Sequence, residues 1–354
     1  MIRHNIFSED TKKAVASASA AFRNDPYLMR NYSWCRELLF KRKNPREAAE
    51  VVEMGIRYGE ALGLDAHMLP VVYVDWMLPE AFEEAKKQGI PEQFFWESMR
   101  DAEIWIKVYR KYHGNRTGLD HTEWVFRSLA GKVRRLGSLQ FEEVTYEFPG
   151  LIFENRRTGK YAALAAPSLR ADQDGYLSGT NGRRCVKETV TALSITESRA
   201  TGFPIDLNRG IFQLERKVSL DLLDWELKLA PGEKAVAVHI PEGADLSPDK
   251  IDSALETGKQ FYEQDFLICD SWLLDPHLEF ILPENSRILG FMNRFCKMPV
   301  KESAPQILER VMGFDFSMDK LEAFPCETSL QTALKKYLMK GNEVFTTAGF
   351  LPWK

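Results

Sequence analysis

Cysteine is scarce in this chain and badly placed for pairing. Its five cysteines, Cys35, Cys185, Cys269, Cys296 and Cys326, are far apart and odd in number. No Cys-x-x-Cys pair occurs among them, so neither a disulfide framework nor the common zinc spacing is expected. Long apolar runs are missing too: none approaches the ~18 residues of a membrane span. The opening residues, MIRHNIFSEDTKK, lack the apolar stretch of a secretory signal. Neither charge sign is in large excess. Forty-seven Lys and Arg face 51 Asp and Glu for a net charge of −4, which gives no overall attraction to nucleic acid. Also absent are a Walker loop, a zincin motif and a nucleophile elbow. These absences point to a cytoplasmic chain with reduced thiols, no metal site, and neither nucleic acid nor membrane as partner.

What is present is a chain of 354 residues, 44% hydrophobic, enough for ordinary globular cores and long enough for two domains. Its first third reads as helices. Residues 10–23 are alanine-rich, Asp25-Pro26 starts a segment to Leu39, and Asn44-Pro45 opens a helix ending near Gly63. Residues 65–76 form an apolar run bounded by Pro79, residues 91–112 a long aromatic helix, and residues 120–132 a last one. After Gly131 the character changes. Residues 138–147, 151–155 and 161–166 are strand-like and separated by turn signals at Pro149-Gly150 and Thr158-Gly159. A polar, Gly-rich loop fills 172–182, followed by β-branched residues 189–196 and strand-like stretches at 203–206 and 209–218. The fold class expected is α+β: an all-helical domain over 1–131, then a mixed β-sheet domain with flanking helices over 132–354.

The most informative stretch is 235–300. Residues 235–240 are an apolar run of strand length, broken by Pro241, Glu242 and Gly243. Ser247-Pro248 reads as a cap and first helical residue, opening a helix to about Gln264. Residues 266–274 are a second strand-like run, and Pro283-Glu284-Asn285-Ser286 opens a second helix through Phe295. A strand–helix–strand crossover of this kind brings both strand ends to one rim, where open α/β sheets bind ligands.

The HIPEG loop, the ICDSWLLDP strand end and the PENSRILGFMNRF helix together resemble two-domain acyltransferase-domain proteins. In that family a helical N-terminal region precedes a domain like the GNAT superfamily of acyl-CoA N-acyltransferases. The resemblance is strongest over about 207–300. It implies acyl-CoA as co-substrate, lying along the first strand at Ile240, Gly243 and Ala244, with Lys250 toward a phosphate and Asn285 at the cofactor region. Glu242, Asp245 and Asp249 add three carboxylates to that loop, and Met292 stands where such proteins often carry a tyrosine.

Four residues are candidates for the chemistry. His239, at the end of the first strand, could take a proton from an amine, or simply be held by hydrogen bonds there. Asp270 and Ser271 end the second strand, and alternation lets only one of them face a cleft. Glu215 stands on a strand-like run where a buried carboxylate could act as base through water. Glu142 and Glu143 invite the same reading, one on each face of their strand. Cys269 reads as an inert core residue, and Asp275-Pro276-His277 as a turn that could also present a carboxylate–imidazole pair. The function expected is acyl transfer from acyl-CoA to an amine on a small molecule or peptide; the alternative is a scaffold of the same fold that binds a ligand or partner without catalysis. Open sheet edges would also allow a homodimer.

Overall fold

The computed structural model describes residues 6–353. Helices come first, each with a visible start signal. Ser8 caps α1 (Glu9–Asn24) by accepting from Thr11 N. Asp25 accepts from Tyr27 N and Leu28 N at 2.8 and 2.9 Å to start α2 (Pro26–Phe40), and Asn44 caps α3 (Pro45–Ala61). Proline at the first helical position costs nothing in α2 and α3, because that N–H has no helical partner. Then follow α4 (Leu69–Lys87), α5 (Glu92–Met99), α6 (Asp101–Tyr112) and α7 (Thr122–Leu129). They enclose one core that includes Phe22, Leu38, Val52, Tyr73, Met77, Ile106 and Phe126.

Two helix boundaries differ from the sequence reading. Pro79 does not bound its helix: α4 runs through it, because Met77, Leu78, Ala81 and Ala85 on both sides are buried, and that packing outweighs the lost backbone bond. The aromatic stretch is two helices meeting at Arg100, where Asp101 turns its carboxyl inward to two indole N–H groups.

Strands follow. β1 (Val133–Leu136) and β2 (Leu139–Thr145) form an antiparallel hairpin. Next come β3 (Gly150–Asn155), β4 (Tyr161–Ala165), β5 (Arg170–Ala171), β6 (Thr189–Val190), β7 (Leu193–Ile195), β8 (Arg199–Gly202), β9 (Ile205–Asp206), β10 (Ile211–Phe212), β11 (Val218–Asp221) and β12 (Trp225–Leu229), paired in small sheets such as β12-β3-β4 and β11-β8-β7. β13 (Lys234–His239), α8 (Pro248–Lys259) and β14 (Phe266–Ser271) make the crossover. α9 (Arg287–Met292), β15 (Cys296–Met298), α10 (Ser329–Leu338) and β16 (Thr347–Pro352) complete the chain, and the principal sheet has the order β1-β2-β13-β14-β16-β15. The second helix of the crossover region is only six residues long, capped by Ser286.

The chain divides into two compact units. One comprises the residues up to Glu142 together with His239–Ala244; the other comprises Glu143–Val238 and the residues from Asp245 on. The second unit has its own cores, one around Tyr146, Ile152, Phe212, Phe266, Met298 and Phe350, another around Leu278, Leu289, Met292, Ile307 and Leu334.

Candidate active site

β13 and β14 are parallel neighbours that pair at Val236↔Leu267 and Ala237↔Ile268 only. Past that point β14 stays bonded to β16, through Cys269↔Gly349, Asp270↔Ala348 and Ser271↔Thr347. β14 therefore keeps its straight antiparallel partner, while its parallel ladder to β13 stops two residues before His239. An interrupted parallel ladder leaves backbone N–H and C=O groups for another partner.

His239 ends β13, half-buried, with Nε2 3.5 Å from Glu142 Oε2. The separation is longer than a good N–H···O bond. Glu142 lies on β2 and is 4% exposed. Its neighbour Glu143 points to the opposite face, exposed, where it accepts from Lys234 Nζ at 3.0 Å and Gln264 Nε2 at 2.9 Å. Period-two alternation thus separates one buried carboxylate from one solvated one. Arg127 of α7 donates from Nε to Glu142 Oε1 at 3.2 Å and from Nη2 to Oε2. Burial by itself would lift the Glu142 carboxyl; its interactions with His239 and Arg127 override that and hold it below the ordinary glutamate range. Trp124, one turn before Arg127, meets the His239 ring edge to face at 4.9 Å and 82°.

The other sequence candidates lie elsewhere. Glu215 is a correction: it sits on an exposed turn between β10 and β11, because the strand-like run 209–218 is broken into two short strands around it. Asp270 is exposed and Ser271 buried, as alternation requires, and the Ser271 hydroxyl accepts from Leu273 N to start a short helical turn. Cys269 is buried, which raises its thiol well above the usual value and leaves it unreactive. Asp275 is fully buried and serves both readings made of it. It accepts from Phe345 N at 2.6 Å and His277 N at 3.0 Å, and it holds His277 Nδ1 at 2.7 Å.

In the loop after β13, Ile240 and Ala244 are half-buried, and Gly243 has φ +73 with nothing within 4 Å of where a Cβ would be. Of the three loop carboxylates, Asp245 is already engaged. It accepts from Ser247 N at 3.0 Å and from Arg287 Nη1 at 3.1 Å, and the backbone bond at Ser247 holds it below the usual aspartate range. The Ser247 hydroxyl is not used as a cap, and Lys250 is exposed. Asn285 lies on an exposed turn, and Met292 is a core residue. Among the described residues no three His, Cys, Asp or Glu side chains are grouped to hold a metal ion, and no helix is long and apolar enough to cross a membrane.

The described residues thus form a helical first part followed by a mixed sheet with one parallel strand pair. Comparison with known families places this arrangement. Residues 4–131 match the N-acyltransferase N-terminal domain, and residues 133–351, more than half of the chain, match the GNAT-like C-terminal domain. The chain belongs to this GNAT-like N-acyltransferase family.

Among solved structures it resembles an acyltransferase mutant in complex with octanoyl-CoA, with TM-score 0.60 and 17% identity over 98% of this chain and 85% of that one. It also resembles an acyltransferase in complex with decanoyl-CoA (TM-score 0.51, 20% identity) and one in complex with decanoyl-CoA and teicoplanin (TM-score 0.50, 19% identity). Each of those two matches covers 82% of this chain and 67% of the other. At such identities the likeness is one of fold. No curated protein matches the chain.

Proposed function

We propose that this protein moves an acyl group from acyl-CoA to an amine on a small molecule or peptide, with His239 as the base. The observation that carries this reading is His239 beside the buried Glu142, at the end of the strand whose parallel ladder has just stopped. In the reaction the amine nitrogen attacks the thioester carbonyl, a C–N bond forms and the C–S bond breaks. The amine proton passes to the other ring nitrogen of His239, Nδ1, while Nε2 faces the Glu142 carboxylate, which balances the imidazolium charge. The thiolate departs with CoA. Glu215 and Asp270, both exposed, and Ser271, engaged at its turn, are given no step.

Acyl-CoA would lie along β13, its phosphates at the loop that contains Gly243 and Ala244. The loop's fit to an anion is favoured by the open Gly243, by Lys250, and by the engagement of Asp245 by Arg287. Glu242 and Asp249 oppose it. A non-catalytic scaffold is the second reading, and the burial of Met292, which leaves no proton donor at that position, favours it.

Calorimetric titration with acetyl-CoA and decanoyl-CoA tests the binding half. Micromolar binding weakened by Gly243→Trp supports the reading. Neither heat nor thermal stabilisation at millimolar ligand would remove acyl-CoA from it. Turnover is then screened against primary amines, amino sugars, peptides and teicoplanin.

A further inference from the structure

Asp101 opens α6 and is buried, yet its carboxylate serves two tryptophans on two helices. Oδ2 accepts the indole N–H of Trp105, one turn along, at 3.2 Å and that of Trp124, on α7, at 2.7 Å. Burial lifts this carboxyl, and the bonds from the two indoles, Trp124 first, oppose the lift. Trp124 in turn touches both groups that share Glu142. It meets the His239 ring edge to face at 4.9 Å, and the Arg127 guanidinium lies over its ring at 5.1 Å.

We infer that Asp101 is a positioning residue for the His239–Glu142 pair, acting through Trp124. An indole is free to turn about its side-chain bonds unless something holds its N–H, and here only one orientation satisfies Asp101. That orientation places the ring against the imidazole and under the guanidinium at once, so Glu142 is divided between a titrating partner, His239, and a permanent cation, Arg127. With the N–H released, the ring turns, and the imidazole and the guanidinium, which already bonds both Glu142 oxygens, lose the wall they share beside the carboxylate. The charged group beside His239 in this arrangement is Glu142, itself paired with Arg127. The catalytic meaning of the device rests on His239 being the base; the geometry stands without it.

The test uses Asp101→Ala, Trp124→Phe and the double variant of the full chain. Asp101→Ala removes the oxygen that accepts both indole N–H groups; Trp124→Phe keeps an aromatic ring while losing the N–H with its pyrrole ring, and guards against a folding defect in Asp101→Ala. The first readout is the imidazole titration of His239 by ¹³C-histidine NMR, its signal identified by its disappearance in His239→Gln. Both single variants and the double variant displace that titration by the same amount, about half a pH unit or more. The second readout is thiol release from decanoyl-CoA with benzylamine as acceptor. There kcat falls about ten-fold in each variant, with no further loss in the double and no change in the KM for decanoyl-CoA.

Titrations that superimpose on the wild type, or losses that multiply in the double variant, overturn the inference. Full turnover in His239→Gln sinks the base reading and leaves the titration result to decide the geometry. Loss in His239→Gln with none in Asp101→Ala and Trp124→Phe sinks this inference alone.

Discussion

Arg127 and His239 approach the same buried carboxylate, Glu142, from two sides: the guanidinium bonds both oxygens, and the imidazole stands 3.5 Å from Oε2. The permanent cation favours the ionised form of Glu142, so that in the proposed reaction the carboxylate would stand ready when His239 takes the amine proton. A buried charge with one strong partner and one switchable partner suits a base that must gain and lose a proton in each turnover.

Arg127→Met removes the permanent partner and leaves the carboxylate buried. The variant is expected to unfold in urea with a stability lower by about 2–4 kcal/mol, since breaking a buried pair costs more than the pair is worth. Combining it with Glu142→Gln recovers much of that loss. A single-variant loss under ~0.5 kcal/mol would show that Glu142 is solvated after all.

The stability of the pair also depends on pH. Glu142 has a folded-state value below its unfolded one, so its contribution is fully present above the unfolded glutamate value of about 4.3 and is lost as pH falls through the folded one. The stability difference between the wild type and Glu142→Gln therefore shrinks as urea titrations move from pH 6 to pH 3. A constant difference across that range contradicts the assignment.

Lys297 gives a slope of the same sign in the alkaline range. It is buried, donates to the carbonyls of Met292 and Phe295 at 2.6 and 2.7 Å, and burial pulls its ammonium down to about 8. Because the folded value lies below the unfolded one of about 10.4, the unfolded chain binds more protons in between. Stability relative to Lys297→Met rises between pH 8 and pH 10. A flat difference would mean that the ammonium stays charged in its site.

Gly175 is required by its backbone. It adopts φ +88, and a Cβ there would stand 2.3 Å from the carbonyl oxygen of Phe212. Gly175→Ala is expected to cost about 2 kcal/mol or more, through both the left-handed strain and the clash. Gly243→Ala, with equal strain but open space around it, costs about 1 kcal/mol. Equal losses at the two sites would show that the contact with Phe212 yields.

The sequence made the class of fold and the position of the crossover legible, because both follow from local signals. Asn44-Pro45 and Ser247-Pro248 mark helix starts wherever they occur, and Glu142-Glu143 on a strand must split between two faces. Its failures are non-local. Pro79 is carried through α4 by burial on both sides, which no window of neighbouring residues reveals. Glu215 sits in a run that looks like one strand but breaks at a turn. Glu142 was visible as a candidate, but Arg127, Trp124 and Asp101 were not, since a helical arginine or tryptophan gives no sign that its partner lies on a strand. His239 and Glu142 are 97 positions apart in the chain, and only the fold brings them together.

The most direct measurement of the central claim is single-turnover release of CoA thiol from decanoyl-CoA with an amine acceptor, comparing the wild type with His239→Gln and Glu142→Gln. A base supplied by this pair predicts that His239→Gln slows the step by about 10²-fold or more while decanoyl-CoA binding is unchanged, with a smaller loss in Glu142→Gln. Thiol release in His239→Gln within two-fold of the wild type, at the same bound fraction, would contradict it.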